Sequence, residues 1–371
     1  MRANRLSALT VRGRITSSDP LRCFRLWLGV VAVLTAGACH SSATGPDESA
    51  EPGADTVRVA LTALGTQTYR GFEGGLYPGG VNEPPADHAA GGTAAARLIR
   101  PLDLNGSPAA GGRMVLLSIG MSNTTQEFCN PTGAAQVCQA QTFGAQAAAD
   151  ASVNHATLAI VDGAAGGQTA GTWDSPADAN YDRVRDQRLA PRGLSESQVQ
   201  VLWLKVANSN PTRSLVSARS DADTLVTQMA NIVRAAKTRY PNLRQVFISS
   251  RIYAGYATTT LNPEPYAYES GFAVKWVIRA QIEQDRQGTI VDARAGDLRY
   301  PAASPWLAWG PYLWADGLNA RPDGLIWQRA DLQADGTHPS ASGQQKVGAM
   351  LLAFFRTSPF TRCWFLSGPS C

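Results

Sequence analysis

A serine hydroxyl becomes a nucleophile only when a base takes its proton and donors receive the charge that develops on the substrate. Ser122 sits where such help can be assembled. It follows a short apolar run, Met114 to Ile119, which reads as a buried strand and stops at Gly120. In an open α/β sheet, ligands bind just beyond the carboxyl ends of strands. A serine held there by a glycine turn is placed to attack a carbonyl.

Only four histidines occur, so the base can be sought by elimination. His40 adjoins the leader described below. His88 lies in an N-terminal extension and stays a candidate. His155 stands just before the second predicted strand, at the sheet edge opposite the loops. His338 is the best candidate: it lies in Asp335-Gly-Thr-His-Pro339, three residues after Asp335 and just before a helix. A histidine acting as base needs a group to fix its tautomer and orientation, and Asp335 can do this across a tight turn. Taken singly, each residue has a plainer account. Serine is a common helix N-cap, and Asp and Thr are good caps too. What favours a triad is the presence of Ser122, His338 and Asp335 in one chain.

The elements that must position these groups alternate. Strands are predicted at 114–119, 157–161, 198–206 and 243–249. Helices are predicted near 142–151, 181–189, 221–240, 268–287 and 340–355. Residues 56–64 read as an edge strand, and 305–327 as an aromatic, partly extended segment. Alternation of this kind implies βαβ units and a mostly parallel sheet of about five strands, an α/β fold. The loops after successive strands then share one sheet edge. That brings together Ser122, the Gly-rich turn Asp162 to Thr169, and Asn208. The turn is not a phosphate loop, since no dinucleotide fingerprint is present and no Lys-Ser/Thr follows.

At this point the order of the blocks resembles the SGNH (GDSL-like) hydrolases. Gly120-Met-Ser122, the turn at Gly167, Asn208 and Asp335-Gly-Thr-His338 fall in the sequence of that family's four blocks, across residues 114 to about 345. The resemblance implies a flavodoxin-like three-layer fold, with Ser122 as nucleophile, His338 as base and Asp335 orienting it. The N–H groups of Ser122 and Gly167 and the Asn208 amide would form the oxyanion hole. Two positions depart from the pattern. Met121 stands where Asp is usual, and the third block reads Val206-Ala-Asn-Ser209. Asn210 is therefore an alternative to Asn208, and Gly163 and Gly166 compete with Gly167. The Ser122-Asn123 pair is similar to the form found in carbohydrate and sialate acetylesterases of the clan.

Around this frame, Asn123, Arg251, Trp309 and Trp314 are candidate substrate contacts. Arg251 follows the fourth strand and reads equally as a structural ion pair. Trp306, Trp309, Trp314 and Trp327 form a band that fills a core or walls a sugar cleft. Lys205 is expected to snorkel to the sheet edge or pair with Glu264 or Glu269.

The chain opens with an Arg-rich segment and an apolar run, Leu26 to Ala38, too short to span a bilayer and suited to a signal peptide. It ends directly before Cys39 and resembles a lipobox; ordinary signal cleavage is the alternative. Residues 1–38 are thus read as leader, 39–55 as a flexible tether, and 56–371 as one domain with an extension at 56–112. Removing the leader's six arginines and one aspartate from 33 basic and 29 acidic residues leaves 27 against 28. The basic pI belongs to the leader and gives no support for nucleic-acid binding. Beyond the leader and Cys39, Cys129, Cys138, Cys363 and Cys371 form an even set, whose close spacings suggest 129–138 and 363–371 disulfides in an oxidising compartment. No Cys/His cluster has zinc spacing, and neither a metal nor a cofactor is expected. The expectation is an exported serine ester hydrolase, periplasmic, at the cell surface or secreted, that removes O-acetyl or other short acyl groups from carbohydrates. Membrane contact would be only through a lipid at Cys39. The alternatives are a lipid or acyl-thioester hydrolase, and a non-catalytic glycan-binding envelope lipoprotein.

Overall fold

The computed structural model describes residues 58–133 and 135–368. The leader, Cys39 and Cys371 lie outside them, and with them the expected lipid anchor and the 363–371 disulfide. The described chain begins with a helical turn, α1 (Leu61–Leu64), where an edge strand was expected. Leu61 and Leu64 are both buried, and a strand would send residues three apart to opposite faces. A two-residue hairpin, β1 (Thr68–Tyr69) and β2 (Phe72–Glu73), and α2 (Ala86–Arg97) follow.

The alternating part runs β3 (Met114–Gly120), α3 (Ser122–Phe128), α4 (Phe143–Ala149), β4 (Leu158–Asp162), α5 (Ala179–Val184), β5 (Val199–Lys205), α6 (Asp221–Arg239), β6 (Gln245–Ile248), α7 (Tyr266–Gln287), β7 (Trp306–Trp309), α8 (Ala341–Thr357) and the short α9 (Arg362–Phe365). The five later strands form one sheet in the order β4-β3-β5-β6-β7, and every pairing is parallel. Numbered within the sheet this is 2-1-3-4-5, the flavodoxin-like order, whose topological switch point lies between the first and third strands. Here those are β3 and β5.

Strand alternation divides the core in two. Val115, Leu117 and Ile119 of β3 face α6 and α7, with Val226, Val233, Phe272 and Val277. Met114 and Leu116 face the other side, with Phe128 of α3, Phe143 of α4 and Leu351 and Phe355 of α8. β3, β5, β6 and β7 are buried along their whole length, which is why they read as continuous apolar runs; the edge strand β4 is partly exposed at Ala159 and Ile160. The long α6 starts on a capping box, Ser220 Oγ accepting from the Asp223 N–H at 3.2 Å. Cys129 and Cys138 form a disulfide just after α3, as their spacing suggested. Among the described residues, no helix is long and apolar enough to cross a membrane.

Candidate active site

The site lies at the switch point. Gly120 ends β3 against the neighbouring β5. A Cβ there would fall inside contact distance of the Lys205 carbonyl oxygen and the Thr124 side chain. Only glycine lets the chain turn this close to β5. Thr124 Oγ1 donates to the Lys205 carbonyl at 2.6 Å and accepts from the Met121 N–H at 3.3 Å. The turn is thereby tied to the end of the adjacent strand. Ser122 is the first residue of α3, where main-chain N–H groups lack intrahelical acceptors.

His338 comes from the loop before α8. Its Nε2 is 2.7 Å from Ser122 Oγ. Its Nδ1 is 2.5 Å from Asp335 Oδ2. Asp335 Oδ1 accepts from the N–H groups of Thr337 at 2.9 Å and His338 at 3.0 Å. Burial raises the pKa of the Asp335 carboxyl, but the His338 ring and these two N–H donors outweigh it and hold the group below its ordinary value. An anionic Asp335 facing Nδ1 favours the tautomer with hydrogen on Nδ1, which leaves Nε2 as the acceptor for the serine proton.

The other two described histidines are engaged elsewhere; His40 lies outside the described residues. His88 is buried, stacks on Trp306 and bonds the Leu307 carbonyl through Nε2. His155 Nε2 faces the Asp150 carbonyl at 3.0 Å.

A cavity of about 230 Å³ opens at Ser122 and His338, lined also by Met121, Gly167, Asn208, Arg251 and Asn262. Of the competing glycines, Gly167 is on this cavity and takes a left-handed φ of 76°. A Cβ on Gly163 would strike the Ser118 carbonyl. Of the two asparagines, Asn208 lines the cavity. One of its two amide hydrogens is engaged by the Asp221 carbonyl at 3.0 Å, and the other has no acceptor among the described residues. Asn210 is exposed and accepts from Thr260 Oγ1 at 2.7 Å.

Several expected substrate contacts are placed differently. Trp309 and Trp314 are core residues: the first donates its indole N–H to the Leu76 carbonyl and the second to Glu264 Oε1, both at 2.7 Å. Trp306 and Trp327 are buried too. The band fills the interior because each polar ring nitrogen finds an internal acceptor, so it walls no sugar cleft. Asn123 reaches the cavity lining but is only 1 % exposed, and its Nδ2 donates to the Thr337 carbonyl at 2.9 Å. It fastens the serine helix to the histidine loop. Lys205 pairs not with Glu264 or Glu269 but with Glu127 of α3, and both side chains are fully buried. Burial pushes the Glu127 pKa up and the Lys205 pKa down, against their mutual attraction.

Arg251 does face the cavity lining. It is 1 % exposed, and its Nε and Nη2 have no hydrogen-bond partner among the described residues. Burial lowers its pKa, opposed by the fields of Glu127, Glu264 and Asp335. Asn262, which sequence reasoning passed over, is 4 % exposed, with Oδ1 unpartnered among the described residues. Its φ of 63° is one that asparagine tolerates better than most residues.

No family model and no curated protein matches this chain. Solved structures do. A protein from Parabacteroides merdae described as a GDSL-like lipase aligns at 14 % identity over 69 % of this chain and 97 % of its own, with a TM-score of 0.37. An acetyl-xylooligosaccharide esterase from Geobacillus aligns at 14 % identity over 67 % and 96 %, TM-score 0.36. A family two carbohydrate esterase from Cellvibrio japonicus aligns at 12 % over 67 % and 62 %, TM-score 0.35. At such identities and scores these likenesses say nothing about substrate or site. The chemistry rests on the geometry above.

Proposed function

We propose that this chain is an exported serine ester hydrolase that removes acetyl or other short acyl groups from carbohydrates. The observation that carries the reading is the hydrogen-bonded series Ser122 Oγ, His338 Nε2, His338 Nδ1, Asp335 Oδ2, opening on a cavity. In the proposed mechanism Ser122 Oγ attacks the ester carbonyl carbon while its proton passes to His338 Nε2. The imidazolium that forms is stabilised by Asp335. The carbonyl oxygen, now anionic, is received by the N–H groups of Ser122 and Gly167 and the remaining N–H of Asn208. Collapse breaks the bond to the alcohol oxygen, which leaves with the proton from His338. Water, activated by the same imidazole, then attacks the acyl-enzyme, and the acid departs as Ser122 regains its hydrogen.

The small cavity supports a short acyl group, and the likeness of Ser122-Asn123 to acetylesterases supports a sugar alcohol. The Cys129–Cys138 disulfide supports export to an oxidising compartment. The test is a panel of acetylated sugars and of 4-nitrophenyl esters with acyl chains of two to sixteen carbons. Acetate release from sugars and a preference for the shortest chains, both lost in Ser122→Ala, are expected. A long-chain preference would favour a lipid hydrolase, and turnover surviving Ser122→Ala would refute the reading.

A further inference from the structure

Arg251 is hard to explain as a structural residue. A guanidinium presents five N–H donors, and a buried cation without a partner is costly. The fields of three carboxylates reach it. Glu127 gives Oε2 to Lys205, and its Oε1 is buried without a partner among the described residues. Glu264 accepts from Trp314, Ala254 and Tyr268. Asp335 holds His338 and two backbone N–H groups. None of them is in ion-pair or hydrogen-bond contact with the Arg251 side chain, and Arg251 lines the cavity that holds Ser122.

The sheet order says which part of a substrate it would meet. Gly167 lies in the loop after β4, on one side of Ser122. Arg251 follows β6, two strands away on the other side. Neighbouring strands are about 4.8 Å apart, so the end of β6 lies roughly 10 Å across the sheet from the end of β3. Asn208, the oxyanion donor proposed on that side, follows the intervening β5. Arg251 comes from the strand beyond it, which suits a fixed charge on the leaving alcohol. Asn262 Oδ1, also buried and unpartnered among the described residues, is an acceptor and suits a hydroxyl beside that charge.

We propose that the cavity selects acidic carbohydrate esters: the sugar that carries the acyl group also carries a carboxylate, which binds the Arg251 guanidinium, with a neighbouring hydroxyl donating to Asn262 Oδ1. The assignment rests on the hydrolase reading for the ester, but the anion site is measurable without turnover. Calorimetry of the leaderless protein with glucuronate and with glucuronamide compares acid and neutral forms of one sugar. Charge-assisted hydrogen bonds to a buried guanidinium predict about ten- to a hundredfold tighter binding of the acid, with the ratio collapsing in Arg251→Met. Equal binding of acid and amide by the wild-type protein overturns the proposal whether or not the variant folds. So does a ratio that survives in Arg251→Met. Glutarate against its monoamide is the third arm, and selection of glutarate alone would put the anion on the acyl side and overturn the sugar assignment. The corresponding turnover ratio, O-acetyl glucuronoside against its methyl ester, should also favour the acid at least tenfold. If both are hydrolysed equally, the proposal fails while the hydrolase stands. If neither is hydrolysed while glucuronate is still preferred, the hydrolase reading fails and the anion site stands.

Discussion

Replacing Asp335 by asparagine changes one atom and inverts the logic of the site. Asp335 Oδ1 is fixed by two donors, the N–H groups of Thr337 and His338 at 2.9 and 3.0 Å. An asparagine must keep its carbonyl oxygen there, because a flipped amide would set N–H against N–H. Its NH₂ group then faces His338 Nδ1, where Asp335 Oδ2 now lies at 2.5 Å. The ring answers by placing its hydrogen on Nε2, toward Ser122 Oγ, and can no longer accept the serine proton. Loss of the correct tautomer in a serine triad costs about 10⁴-fold in kcat, or about 5.4 kcal/mol at 1.36 kcal/mol per decade. The assay is the initial rate on 4-nitrophenyl acetate, with circular dichroism to show the fold intact. A folded Asp335→Asn protein within tenfold of wild type would refute the orienting role. The same substitution carries a pH signature. The folded pKa of Asp335 is lowered, so its stabilising contribution is present above the unfolded value of about 3.9 and is lost as pH falls through the folded one. The stability gap between wild type and Asp335→Asn should therefore narrow in acid, as read by denaturant midpoints. A gap that widens below pH 4 would contradict it.

Three further outcomes are expected. Lys205→Met leaves Glu127 buried without its cation and should destabilise the fold by about 3–5 kcal/mol, with part recovered by adding Glu127→Gln; urea titration of single and double variants checks this. Gly120→Ala forces the serine turn away from β5 and should abolish ester turnover with a smaller loss in Tm, as kinetics and calorimetry on one preparation would show. Trp314→Phe removes the indole N–H from the partly buried Glu264 and should cost about 1–3 kcal/mol of stability, while leaving relative rates on different sugars unchanged, since the ring touches core and not cavity.

The sheet was legible because β3, β5 and β6 are buried on both faces and so appear as apolar runs between helical segments. The shared edge of the loops then placed Ser122, Gly167 and Asn208 together before any contact was known. The short hairpin and the helical turn at Leu61–Leu64 were not legible, because two- to four-residue elements carry too little periodicity. The tryptophans misled for a physical reason: an indole counts the same in a sequence whether its N–H meets a ligand or an internal carbonyl. Lys205 was recognised as unusual but given the wrong partner. Glu127 lies one and a half turns beyond Ser122 on α3, and only the packing of α3 against the end of β5 brings the two charges together. Arg251 and Asn262 are the converse case. Their importance lies in the hydrogen bonds they do not make, which no spacing records.

The central claim is that Ser122 is activated by His338. Fluorophosphonate labelling of the leaderless protein, with peptide mapping of the adduct, tests it without knowledge of the substrate. The account predicts a single adduct on Ser122 that disappears in His338→Ala. A correctly folded protein that takes no label, or one whose Ser122 is labelled equally without His338, would contradict it.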